Sequence, residues 1–262
     1  MMDVQSQPDD RGIPLDQVGV TGLRYPIVVL DKAHQRQQTI ADITMSVSLP
    51  HHFKGTHMSR FLEVLNEHHG EVTMRTLPTI LKRMRERLDA ESARIELKFP
   101  YFLEREAPVS KAKGLMDYEC KFVGEMKGDV FDFTIGVKVP VTSLCPCSKE
   151  ISDYGAHNQR GIITIEVKST LDEQGQPHLI WFEELIAVAE ASGSSPVYPL
   201  LKREDERYVT MRAYETPAFV EDMARKAAIE LKANHHVSAF HLHVENFESI
   251  HNHSAFALIN TH

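Results

Sequence analysis

Cysteine is scarce in this chain, three in 262 residues, which excludes a fold stapled by a disulfide framework. Two of the three stand one residue apart in Cys145-Pro146-Cys147, a spacing that suits thiols doing metal or nucleophilic work in a reducing compartment. Long apolar runs are also absent. No stretch approaches the roughly 20 residues that span a bilayer, and the N-terminal segment is polar and proline-containing rather than basic and then apolar. The expectation is a cytoplasmic protein with no membrane partner. Basic excess is missing too: the formal net charge of −8 argues against a broad nucleic-acid surface. What the chain does have is an apolar fraction of 42%, enough for a packed core. It also has fifteen histidines, a count at which some metal-competent positions arise by chance.

Residues 1–23 show no sustained period and read as a flexible N-terminal arm. From Gln38 to Leu49 the alternation of Ile40, Ile43, Met45, Val47 and Leu49 predicts a strand with one buried face, ended by Pro50. Two helices follow. Met58, Phe61, Leu62 and Leu65 mark the first, Ile80, Leu81, Met84 and Leu88 the second, and Gly70 separates them. The period returns to two in ARIELKFPYFLER and GLMDYECKFVGEM, which pair as antiparallel strands. The second half repeats the order, with strands VFDFTIGVKVPVTSL and GIITIEVKST, helices WFEELIAVAEAS and TPAFVEDMARKAAIELKAN, and strands VSAFHLHVENF and SAFALIN. The chain therefore reads as an α+β protein of two tandem ββααββ units, residues 24–128 and 129–262, with helices on one face of antiparallel sheets. Such hairpins leave strand edges that neighbouring subunits can cover by closing a barrel, so an oligomer is expected.

The chemistry concentrates in VTSLCPCSKEISDYGAHNQRG, Val141 to Gly161, which leaves one strand and crosses a polar turn before the next. Cys147 follows Pro146, with Ser148 and Lys149 beside it to help hold a thiolate, and His157 closes the loop ten residues later. Small packed cysteines at a turn are the plain alternative. One cysteine and one histidine supply two metal ligands where a catalytic site needs about three, so others must come from elsewhere. KREDERYVT (Lys202–Thr210) and ENFESIHNH (Glu245–His253) are the two places that can supply them. Glu204, Asp205 and Glu206 read first as a solvated face. His251 and His253 sit two apart and face the same way if extended.

LCPCSKEIS with GAHNQRG, KGTHMSRF, KREDERYVT, FVED and the terminal ESIHNH together resemble the type IB GTP cyclohydrolases of folate biosynthesis, over nearly everything from Tyr25 onward. The resemblance implies the tunnelling fold, a homotetramer with active sites at subunit interfaces, and GTP as the small-molecule substrate. It implies a divalent metal, Zn2+ or Mn2+ with Fe2+ also compatible, near Cys147, with His157, Glu206 and His251 as further ligands. Glu221 stands where the family anchors the purine edge, although a first-turn carboxylate is stabilised at a helix N-terminus in any case. Arg60, Arg160, Lys202 and Arg203 are the cations available to a triphosphate. His57 and His253 are imidazoles suited to the proton transfers, beside the catalytic Cys147. The implied reaction turns GTP and water into 7,8-dihydroneopterin 3'-triphosphate and formate, opening at C8 with water whose pKa a metal lowers from about 16 toward about 7. No Cys-x-x-His occurs, which separates the chain from the type IA enzymes.

Two other readings compete. A tunnelling-fold nitrile reductase acting on a 7-deazaguanine also carries a Ser-Leu-Cys-Pro turn, but its Glu-Ser-Lys-Ser-Leu-Lys motif is absent and SSPVYPLLKREDE stands in its place. A non-catalytic metal- or purine-binding protein would take up several ions per chain, whereas the cyclohydrolase reading expects one tightly held metal.

Overall fold

The computed structural model describes residues 5, 7–68 and 71–261, in two compact units. The first comprises Met1–Pro100 with Lys121–Thr134, and the second Tyr101–Cys120 with Ile135–His262. Strands β3 (Ser92–Glu106), β4 (Lys113–Lys127) and β5 (Val130–Leu144) run through both.

In the first unit, β1 (Leu15–Asp31) and β2 (Gln35–Leu49) form a long antiparallel hairpin, and β2 continues against β3 with Met45 opposite Ile95. The hairpin turns on Asp31, whose Oδ1 accepts the backbone N–H of Ala33 at 2.8 Å and of His34 at 2.6 Å, an Asx turn. The arm expected over residues 1–23 is therefore shorter: from Leu15 the chain is a strand, and residues 1–4 and 6 lie outside the described residues. A polar run paired along one edge shows no apolar alternation to reveal it. β2 buries Ala41, Ile43, Met45, Val47 and Leu49 while Ile40 is 61% exposed, because Ile40 has the other parity of the pleat.

Helices α1 (Ser59–Glu67) and α2 (Leu77–Leu88) form where expected, and Gly70 lies outside the described residues. α1 buries Phe61, Val64 and Leu65, whereas Met58 and Leu62 are about two-fifths exposed. α2 buries Leu77, Ile80, Leu81, Met84 and Leu88 and ends on Asp89, in the left-handed region at φ 50°. Around them Phe99, Phe122 and Phe133 pack at 5.2 and 5.4 Å between ring centroids, an aromatic core within this unit.

The second unit pairs β5, β6 (Asn158–Ser169), β8 (Val237–Asn246) and β9 (Ala255–Asn260) in that order, with the short β7 (Ser195–Pro196) against β5. Its helices are α3 (Pro146–Ile151), α4 (Phe182–Ser192), α5 (Arg203–Glu215) and α6 (Val220–Ala233). α6 lies on β8 and β9. Its buried face is Met223, Ala224, Ala227, Ala228 and Leu231, mostly small residues that admit a close helix–sheet approach. The other face of β8 carries His241, His243 and Glu245, and His243 stacks on Phe256 at 5.7 Å. α5 is a helix beyond the ββααββ pattern read from the sequence. It buries only Asp205 and Ala213, so no apolar period announces it.

α4 is pinned to β3 and β4 by buried polar contacts. Arg105 pairs with Glu190, Tyr118 Oη donates to Glu190 Oε1 at 3.1 Å, and Tyr101 Oη donates to Glu183 Oε1 at 2.8 Å. Burial pushes the Glu190 carboxyl up against the opposing pull of Arg105, and burial also pushes the Tyr118 phenol up.

Candidate active site

The Cys147 loop is built from the end of β5. Cys145 is extended (φ −69°, ψ 119°) and caps α3, its Sγ accepting the Ser148 N–H at 3.5 Å, and Pro146 takes the first helical position, where a missing N–H costs nothing. Cys147 is thereby turned outward and exposed, while Cys145 is half-buried and Cys120 fully buried. The ends of the loop are tied. Cys145 N–H donates to His157 O at 3.1 Å, and Ser148 Oγ accepts the His157 N–H at 3.2 Å while donating to Cys145 O at 3.2 Å. Cys147 and His157, ten residues apart in sequence, are held at the two ends of one closed loop.

Lys149 does not serve the thiol as its neighbouring position suggests. Its Nζ donates to Tyr214 O at 2.6 Å and lies 4.3 Å from the centre of the Tyr214 ring, so the cation is committed to the C-terminal end of α5. The turn carrying the terminal histidines reaches His157 through Ser249, whose Oγ is 3.3 Å from His157 Nδ1. His251 and His253 are exposed in that turn, their rings stacked at 5.1 Å and 17°. The rings meet in a bend, not in the extended chain for which the two-residue spacing would put them on one side.

The other expected residues are distributed over the helices. Lys202, Arg203 and Glu206 are exposed at the start of α5, and Arg160 is exposed on β6. Glu221 is exposed in the first turn of α6, where the Phe219 N–H is capped instead by Asp222 Oδ2 at 3.1 Å. His57 and Arg60 belong to the first unit. There Arg60 Nη1 donates to Arg87 O at 2.9 Å, at the end of α2. Among the described residues no group of three His, Cys, Asp or Glu stands close enough to hold a metal ion. The expected set of Cys147, His157, Glu206 and His251 is thus not gathered within one chain.

The charged run departs from a solvated face at one residue. Asp205 is fully buried. Its Oδ1 accepts the N–H groups of Val109 and Ser110 at 2.8 and 2.9 Å, and its Oδ2 accepts Ser110 Oγ at 2.6 Å and the Lys202 N–H at 2.8 Å. This carboxylate clips the β3–β4 turn to the N-terminus of α5. Burial pushes its pKa up, but the hydrogen bonds from Ser110, Lys202 and Val109 outweigh burial and hold it well below the carboxylate range. A depressed folded pKa means stability that is present above the unfolded value of about 3.9 and lost as pH falls through the folded value. Asp205→Asn is therefore expected to melt several degrees below the wild type at neutral pH. The gap should narrow as pH drops below 4, and a gap that stays constant with pH in calorimetric scans would refute the ionised clip.

Sequence reading also passed over Ser143, Gln159 and Asn246, for which a signal existed. Each is a polar residue on the buried parity of its strand, continuing Val139 and Val141, preceding Ile163 and Ile165, and continuing Leu242 and Val244. Three such interruptions at neighbouring strand ends mark a polar core beside the loop.

A family model described as type I GTP cyclohydrolase folE2 matches residues 1–257. A GTP cyclohydrolase FolE2 of Citrifermentans bemidjiense is 56% identical over 259 residues, covering 99% of this chain and 94% of the relative. The chain belongs to the FolE2 family of type I GTP cyclohydrolases. A FolE2 of Nitrosococcus oceani is 52% identical over 257 residues, covering 98% of this chain and 94% of its own. Among solved structures, a uricase from Bacillus fastidious superposes with TM-score 0.57 at 9% identity, covering 97% of this chain and 94% of that one. A urate oxidase from Bacillus sp. TB-90 gives 0.55 at 8% identity, covering 94% of this chain and 99% of that one. These likenesses establish the tunnelling fold for this FolE2 chain, an α+β antiparallel sheet with helices on one face.

Proposed function

We propose that this protein is a type IB GTP cyclohydrolase I, converting GTP and water into 7,8-dihydroneopterin 3'-triphosphate and formate. The observation that carries the reading is the 56% identity to a GTP cyclohydrolase FolE2 across 99% of the chain. The closed Cys147–His157 loop supports it, since it presents a thiol and an imidazole on one rigid element. The nitrile reductase and the metal-buffer readings gain nothing from these relatives.

In this reading Glu221, exposed at the start of α6, accepts the two adjacent N–H donors of the guanine edge. Two parallel hydrogen bonds to one carboxylate fix the ring in plane. Arg160, Lys202 and Arg203, exposed in the second unit, supply cations to the triphosphate, and Arg60, which already spends one N–H on Arg87 O, stands as a proposed further cation. His57 and His253 move protons during ring opening and formate release.

A divalent metal, zinc or manganese with iron also compatible, belongs to the reading. One chain offers Cys147 and His157 on a single loop, and the described residues add no third donor within reach. With no third donor gathered among the described residues, no step is derived through the metal, and Glu206 and His251 stand as proposed further ligands. The reading includes a homotetramer with sites at subunit boundaries. Chelator-treated protein, metal-free by elemental analysis, is expected to lose formate release and to regain it with zinc or manganese. A metal-free protein at the full rate would remove the metal from the account, and NADPH oxidation with a 7-deazaguanine nitrile would favour the reductase.

A further inference from the structure

The Ser143 hydroxyl has one proton and three polar neighbours. Ala218 O lies 3.1 Å from Ser143 Oγ, the Asn246 amide nitrogen 2.8 Å and the Gln159 amide nitrogen 3.4 Å. A backbone carbonyl only accepts, so the hydroxyl proton goes to Ala218 and both lone pairs are left to accept from the two amides. Gln159 must then present Nε2 to Ser143, which turns its Oε1 toward His157 Nδ1, 2.8 Å away. A carbonyl oxygen in that place requires a hydrogen on Nδ1. Ser249 Oγ, the other neighbour of Nδ1, is a hydroxyl that can take either role and does not oppose the assignment.

Burial makes this chain of consequences binding. Ser143 is 1% exposed, Asn246 2% and Gln159 8%, so water does not offer the amides other partners. Asn246 is held in its orientation although its Oδ1 is left buried without a partner. Turning the amide over would set that oxygen against the lone pairs of Ser143. Gly161 makes room for it, since a Cβ there would stand 2.4 Å from Asn246 Oδ1.

We propose that Ser143, Gln159 and Asn246 form a positioning relay that holds neutral His157 as the Nδ1–H tautomer, leaving Nε2 as a bare acceptor beside the Cys147 loop for a proton or a divalent cation. The hydrogen bond at one ring nitrogen decides what the other can do. The use of Nε2 rests on the cyclohydrolase reading, whereas the tautomer does not. Without the relay the ring reverts toward the Nε2–H form that neutral histidine favours in water.

The test is 15N NMR of the full chain with ring-labelled histidine, above the ordinary imidazole titration range, with the His157 signals identified by their loss in His157→Gln. Wild type should show a pyrrole-like Nδ1 and a pyridine-like Nε2. Ser143→Ala, which removes one hydroxyl, and Gln159→Leu should both shift the ring toward Nε2–H. Gln159→Glu, which keeps an acceptor for Nδ1–H, should retain the wild-type pattern. If Gln159→Leu does not fold, Ser143→Ala carries the comparison. In the GTP assay Ser143→Ala should lower kcat about 10-fold with KM little changed. An Nε2–H wild type, or a Ser143→Ala ring identical to wild type, would overturn the relay. Absence of GTP turnover in a wild type with the expected tautomer would instead count against the cyclohydrolase reading alone.

Discussion

Cys147→Ala is expected to abolish GTP turnover, a loss of at least about 10³-fold in kcat, while Cys145→Ala and Cys120→Ala keep appreciable activity. The geometry separates the three thiols. Cys147 is exposed on the first turn of α3, where the closed loop aims it outward. Cys145 spends its sulfur on the Ser148 N–H and its backbone on His157, so its loss weakens a helix cap, an effect of about 1 kcal/mol. Cys120 is wholly buried, and burial pushes its thiol pKa well up, which makes it a packing residue. Steady-state rates from pterin fluorescence, taken with melting curves for all three variants, decide the matter. Equal loss at Cys145 with an unchanged melting temperature would reassign the reactive position.

Mixing two dead variants is expected to restore part of the activity. Among the described residues the strand order ends on β1, paired with β2, and on β9, paired with β8. Phe256 and Leu258 on β9 remain 67% and 48% exposed. An edge of that kind needs cover, and among the described residues of one chain no group of three His, Cys, Asp or Glu gathers to hold a metal ion. Both observations support a site shared between copies, with the Cys147 loop from one chain and Glu221 from another. Cys147→Ala and Glu221→Ala chains, inactive alone, should then regain up to about one quarter of wild-type activity after subunit exchange, because roughly that share of shared sites receives both intact residues. Exchanged heteromers, verified by native mass spectrometry, that stay as inactive as their parents would place the whole site in one chain.

The fold was legible wherever one face of an element is apolar. β2, α2, β6 and β8 announce themselves by period, and their buried residues repeat it. β1 and α5 were not legible for the same reason in reverse. β1 is a largely exposed strand over Leu15–Leu23, and α5 buries Asp205 and Ala213 only, so hydrogen bonding rather than apolar burial fixes each of them. At the site, the loop bearing Cys147 and His157 could be read because a polar segment between two apolar strands stands out. Asp205 could not be separated from Glu204 and Glu206, since only the β3–β4 turn, nearly a hundred residues earlier, selects it. The partner of Lys149 is remote in the same way, since Tyr214 lies 65 residues further along the chain.

The proposed reaction opens the guanine ring of GTP at C8 and expels that carbon as formate. Incubating the metal-loaded full chain with GTP labelled at C8 tests it most directly. One labelled formate is expected for each pterin formed, with the triphosphate retained on the pterin. Label that stays in the nucleotide, or leaves only as phosphate is released, would contradict it.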